Sequence, residues 1–142
     1  MAITPGKPLR RVVTGLDLEG RSTVIIDGPA AQVIWKADCS PADIRRPVDA
    51  GGTPLSFGMP VGGTTFFCTD FAPDDEEASI GMHATGTLDY AVIISGEITF
   101  LTQTGETKLR AGDVLVDRGV PHAWRNDGPG PCRVLFVFVK TA

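Results

Sequence analysis

GMHATGTLDYAVIISGEITF, residues 81–100, and GDVLVDRGVPHAWRN, residues 112–126, are the two stretches that decide the fold. The first is rich in β-formers: a strand reads from Tyr90 to Thr102, broken at Gly96 by a bend or bulge. The second follows a strand read from Thr107 to Val116, with Gly112-Asp113 as a tight turn. These two stretches also hold His83 and His122, the only two histidines of the chain. Any site that needs imidazole must use one or both.

Outward from them, the same punctuation repeats. Arg10 to Thr14, Ser22 to Asp27, Gln32 to Lys36, Thr64 to Phe71, Ile80 to Thr85 and Arg133 to Val139 read as short strands. Turns at Gly20, Gly28-Pro29, Gly105 and Gly128 to Pro131 separate them. Ser40-Pro41-Ala42-Asp43 carries the signals of a short helix start, with Pro47 ending it at once. Pro47 to Gly63 reads as a long loop able to cover a site, and Pro73 to Glu77 as a solvated acidic turn. No long repeat or linker interrupts the chain. At 142 residues with 42% hydrophobic content, it is sized for one domain with a real core. The pattern predicts an all-β sandwich or barrel with little helix. Residues 1–63 would supply N-terminal strands and a long loop packed on a barrel core formed by 64–142.

Charge and processing signals narrow the function classes. Lys plus Arg is 13 against 17 Asp plus Glu, a net charge of −4, which argues against nucleic acid as a partner. No stretch is apolar for long enough to span a membrane, and residues 1–11 carry no apolar signal segment. Cys39, Cys68 and Cys132 are odd in number and far apart, so reduced, core or half-buried thiols in a cytoplasmic protein are expected.

Residues two apart on a strand share a face. His83, Thr85 and Asp89 therefore share parity, as do His122, Trp124 and Asn126. If the two segments are neighbours, two imidazoles and one carboxylate converge. Such a set suits Fe, Mn, Zn or Ni as a divalent ion, with positions open for water or substrate. His83, Asp89 and His122 are thus the candidate catalytic residues and metal ligands. Thr85 reads as a pocket hydrogen-bond donor, Trp124 as an aromatic wall, and Asn126 as an amide that orients a ligand or a loop. Tyr90, of opposite parity to Asp89, should face away. Trp35 is expected in the core, Asp113 in a structural turn and Arg118 at the surface. The run Val134 to Val139 is apolar on both faces, so it should pack on one side into the barrel and on the other against a second sheet or subunit.

These residues resemble the cupins, small jelly-roll β-barrels. His83, Asp89 and Gly96 fall on the first histidine, the acid and the final glycine of the first cupin motif. Gly112-Asp113, His122 and Asn126 fall on the second. The pattern is similar to a subgroup of single-domain cupins with HxTxTxDY and RGxxHAWxN, mostly of unassigned function. It departs from the general motif in four ways. Thr85 stands where a second histidine is frequent, Asp89 replaces glutamate, and Arg118-Gly119 replaces a Pro-x-Gly turn. The spacing from Gly112 to His122 is one residue short. The resemblance implies a small-molecule enzyme, divalent-metal-dependent, acting on a small oxygenated substrate by isomerase, hydratase, lyase or dioxygenase chemistry. Two alternatives stay open: a metal-free cupin using His and Asp as acid and base, and a non-catalytic ligand-binding module. It also implies a homodimer.

Overall fold

In the computed structural model, residues 3–4, 6–45, 49–55, 62–74 and 81–141 are described. Eleven strands follow in order: β1 (Ile3–Thr4), β2 (Arg10–Leu16), β3 (Ser22–Pro29), β4 (Val33–Ala37), β5 (Thr64–Phe71), β6 (Thr87–Ser95), β7 (Glu97–Thr102), β8 (Gly105–Arg110), β9 (Val114–Asp117), β10 (Ala123–Arg125) and β11 (Cys132–Lys140). There is no helix among the described residues, and so none long and apolar enough to cross a membrane.

The strands form a six-stranded sheet in the order β1-β5-β11-β6-β9, with β4 also on β5, and a three-stranded sheet β10-β7-β8. A β2-β3 ribbon pairs with neither. The two larger sheets face each other in a jelly-roll-like arrangement, and the core lies between them. Phe67, Phe71, Ala91, Ile93, Val134 and Phe136 point in from one sheet, and Ile98, Phe100, Leu109 and Trp124 from the other. Phe136 sits edge-on to Trp124 (centroids 5.7 Å apart) and stacks on Phe67 (5.0 Å), tying the sheets together. Each such ring withdrawn from water is worth about 2–3 kcal/mol.

The apolar run of β11 is explained by its place. It lies between β5 and β6 in the sheet, with Val134 and Phe136 buried on the inner face and Leu135 and Val137 half-buried on the outer one. On β6, alternation buries Thr87, Asp89, Ala91 and Ile93. The inward row is therefore apolar at one end and polar at the other, and the polar end is where the site lies. Gly96 makes the corner between β6 and β7. Its φ is 77°, and a Cβ there would stand 2.5 Å from the Pro131 carbonyl oxygen, so only glycine fits.

Several expectations need correction. Residues 38–45 make bends and irregular chain rather than a helix, because no apolar periodicity follows the cap-like signal; residues 46–48, and so Pro47, lie outside the described residues. Of the strand expected at Ile80 to Thr85, Ile80 lies outside the described residues. Residues 81–85 make only an isolated bridge at His83. Much of the acidic turn and of the long loop (56–61) is likewise outside them. Trp35 is half-buried opposite Phe66, not in the core, because an irregularity between Val33 and Trp35 shifts the register. Cys39 is exposed, whereas Cys68 is half-buried and Cys132 buried; all three are free thiols.

Candidate functional site

The two histidines are brought together by backbone, not by side-chain attraction. His83 and His122 form a two-hydrogen-bond bridge: His83 N donates to His122 O (2.9 Å) and His122 N to His83 O (2.8 Å). Their ring centroids lie 4.8 Å apart. Each ring is then fixed in the same way. His83 Nδ1 faces Gly81 O at 2.9 Å, and His122 Nδ1 faces Val120 O at 2.8 Å. A carbonyl oxygen only accepts, so each Nδ1 carries the hydrogen and each Nε2 keeps its lone pair. Phe100 stacks on the His122 ring (5.4 Å, 20°), which holds its plane.

The carboxylates come from neighbouring strands. Asp89 on β6 and Asp117 on β9 are direct cross-strand partners, and both point inward. Asp89 is 4% exposed, Asp117 3% and His122 3%. Like charges placed opposite on a sheet repel, and burial removes the water that would screen them. The Asp89 carboxyl is accordingly pushed up to about 6, mainly by burial, against the hydrogen bond from Thr87. The charge of Asp117 raises it further, and His122 and Thr85 act the other way. Thr87 Oγ1 donates to Asp89 Oδ1 at 2.5 Å; Thr85 Oγ1 is 3.4 Å from Asp89 Oδ2 and 2.8 Å from Thr87 Oγ1. Asp117 Oδ1 accepts from Gly119 N (3.1 Å) and Val120 N (3.2 Å), closing the turn that delivers His122. Its Oδ2 lies 2.9 Å from His122 Nδ1, but that N–H is aligned on Val120 O, so the buried Oδ2 receives no aligned donor. No lysine or arginine among the described residues pairs with either carboxylate.

Asp89, Asp117 and His122 each place a donor atom within 4.8 Å of the others. Two buried carboxylates beside an imidazole are a donor set of the kind that could hold a divalent cation. Asp117 escaped the sequence reading, which ended its strand at Val116 and gave Asp117 no role. The available signal was an aspartate just before Arg118-Gly119, the place for a side chain that caps backbone N–H groups. His83 stands beside this group, half-buried, and with half-buried Thr85 forms its more open side.

The remaining candidates fall into place around it. Trp124 is buried between Phe71, Phe100 and Phe136 and meets His122 edge-on at 6.4 Å, a wall behind the ring. Asn126, fully buried, orients a loop: its amide donates to Phe71 O (2.9 Å) and Gly130 O (3.0 Å) and accepts from Gly128 N (2.9 Å). Its polar atoms are committed to the chain and not to a pocket. Tyr90 faces outward and Arg118 is exposed. Asp113 accepts from Arg110 N, a structural turn. A groove of about 340 Å³ lies elsewhere, lined in part by Lys7, Gln32, Cys68, Asp70 and Arg133. Arg133 there is held by Asp70 through two hydrogen bonds (2.8 and 2.9 Å), and burial raises the Cys68 thiol.

Residues 69–138, which span β6 to β10 and both histidines, match the cupin domain (Cupin_2). The chain is 35% identical over 135 residues to phomopsin biosynthesis cluster protein C′ of Diaporthe leptostromiformis, covering 82% of this chain and 69% of that protein. This chain belongs to the cupin-domain family. The cupin is also 31% identical over 146 residues to the cupin-domain-containing oxidoreductase srdB of Neurospora crassa, covering 91% of this chain and 72% of that protein. Among solved structures it is similar to a RmlC-like cupin with a double-stranded β-helix fold from Methanocaldococcus jannaschii, at 13% identity and TM-score 0.49, over 58% of this chain and 74% of that one.

Proposed function

We propose that this cupin is an enzyme for a small oxygenated substrate, with its reacting centre at Asp89, Asp117, His122 and His83. The observation that carries the reading is the pair of buried, facing carboxylates beside His122, which no lysine or arginine among the described residues pairs with. Such a pair costs folding energy, and a site that holds it against that cost is a candidate for acid–base or cation chemistry.

His122, Asp89 and Asp117 would hold a divalent ion such as Fe, Mn, Zn or Ni, with His83 beside them. When bound, the ion would supply Lewis-acid or redox chemistry to a substrate oxygen. The chain's own residues do the rest. Val120 O holds the hydrogen on His122 Nδ1, and Asp117 Oδ2 lies beside that nitrogen, so Nε2 is ready to accept. Gly81 O does the same for His83. Asp89, with its carboxyl near the middle of the physiological range, can hold or release a proton, and Thr87 fixes which oxygen is engaged. Phe100 and Trp124 keep water from the rear of His122. Relatives that carry the name oxidoreductase favour redox over isomerase or lyase chemistry.

The test is elemental analysis of protein purified without chelator. About one equivalent of a transition metal per chain is expected, with large losses in His122→Ala and Asp117→Asn. Metal-free wild type that also takes up none of Fe, Mn, Zn or Ni would remove the cation from the reading. Only acid–base chemistry by His and Asp would then be left.

A further inference from the structure

The groove of about 340 Å³ is built from chain that the proposed reacting centre does not use. Its floor is the outward row of β5 and β11: Cys68 and Asp70 share parity opposite to that of buried Phe67 and Phe71, and Arg133 stands across from Asp70. One wall is the connection from β1 to β2 at residues 6–9, the other the turn from β3 to β4 at residues 30–32. Backbone hydrogen bonds fix both. Ala30 N donates to Leu9 O (2.7 Å), and Cys68 N donates to Gln32 O (3.0 Å). Gly6 lets the first wall lie against the floor, because a Cβ there would collide with Asp70 Oδ2 and Arg133 Nη2. The groove is thus pre-formed, and it lies on the opposite face of the sheet from Asp89.

We propose that this groove binds a small monocarboxylate with a short apolar body, at a site separate from His83 and His122. The charge of the lining selects the head group. Its charged residues are Lys7, Arg133 and Asp70, which sum to +1 in a chain of net −4. Asp70 takes Nε and Nη2 of Arg133, which leaves Nη1 uncommitted among the described residues. Lys7 is exposed and forms no ion pair with a described residue. One carboxylate shared by Lys7 and Arg133 cancels the excess charge through charge-assisted hydrogen bonds. A phosphate, with a charge of about −1.5 to −2, would overshoot it and meet Asp70. The walls select the body: Pro8, Leu9, Ala30 and Ala31 offer apolar surface to a short chain or ring. The volume is at the low end of the roughly 300–1,000 Å³ of ligand pockets, which sets the ligand as small.

The experiment is a titration of the whole ¹⁵N-labelled chain, followed by ¹H–¹⁵N correlation spectra at neutral pH, with hexanoate, 1-hexanol and hexyl phosphate as probes. Hexanoate should give saturable shifts at the amides of Lys7, Gln32 and Cys68. Hexanol should give none there, and hexyl phosphate should bind more weakly than hexanoate. Lys7→Glu, at an exposed position, should keep the wild-type circular dichroism and weaken hexanoate by about tenfold or more. Should that variant not fold, Ala31→Trp takes its place: it is also exposed, and its ring should fill the groove and abolish the shifts. Four results overturn the proposal: no saturable hexanoate shift at these three amides, equal binding of hexanol, tighter binding of hexyl phosphate, or hexanoate affinity unchanged in the folded variant.

Discussion

Replacing Asp89 with asparagine should stabilise the metal-free protein, although it removes a residue of the proposed reacting centre. In the folded state the Asp89 carboxyl is raised from 3.8 to about 6 by burial and by Asp117. A carboxyl whose folded pKa is raised binds its proton more tightly folded than unfolded. Its contribution is thus most favourable below about pH 4 and is lost as pH rises from about 4 to 6. The loss is about two pH units at about 1.4 kcal/mol each, or about 3 kcal/mol at pH 8. Asparagine has nearly the same shape, keeps an oxygen for the Thr87 hydroxyl and carries no charge to oppose Asp117. The Asp89→Asn protein, stripped of metal, should therefore be about 1–3 kcal/mol more stable than wild type at pH 8. The two should converge or cross near pH 4. Urea unfolding of both proteins across pH 4 to 8, in EDTA, reads the difference directly and cancels the titration of carboxylates remote from Asp89. A variant less stable than wild type at pH 8, or a difference that does not change with pH, would refute the reasoning.

Asn126→Ala should cost about 3 kcal/mol, because it strands Phe71 O, Gly130 O and Gly128 N, yet leave metal content unchanged; chemical denaturation and elemental analysis together check both halves. Gly96→Ala should destabilise by about 2 kcal/mol or more through its contact with Pro131 O. Gly20→Ala shares a φ of 77° but has open space around it, so thermal unfolding should show the smaller loss there. Trp124→Ala should cost about 3–5 kcal/mol and loosen His122, which a fall in metal affinity would report.

How far the sequence reached can be followed residue by residue. The strands around Tyr90, Thr107 and Arg133 were legible because each combines β-formers with glycine punctuation, and Gly96 does break its strand where the reading put the break. Parity alone placed Asp89 inward and Tyr90 outward. What parity cannot give is the neighbour. Asp117 faces Asp89 only because β9 pairs with β6 in that register, a non-local fact with no local signature. Trp35 was misplaced for a similar reason, since one irregular residue in β4 turns its ring to the other face. The apparent helix start at Ser40 shows the opposite weakness. A cap signal is local, and without a following apolar face nothing holds a helix there. Asn126 was read with two roles, and the hydrogen bonds choose the loop.

The central claim is that two buried carboxylates share one site beside His122. It is tested most directly by a ¹³C NMR titration of the aspartate carboxyls in the metal-free protein. The account predicts one buried aspartate titrating near pH 6, absent in Asp89→Asn and driven to full ionisation when Zn or Mn is added. Every aspartate titrating below about pH 4.5, with no response to either ion, would contradict it.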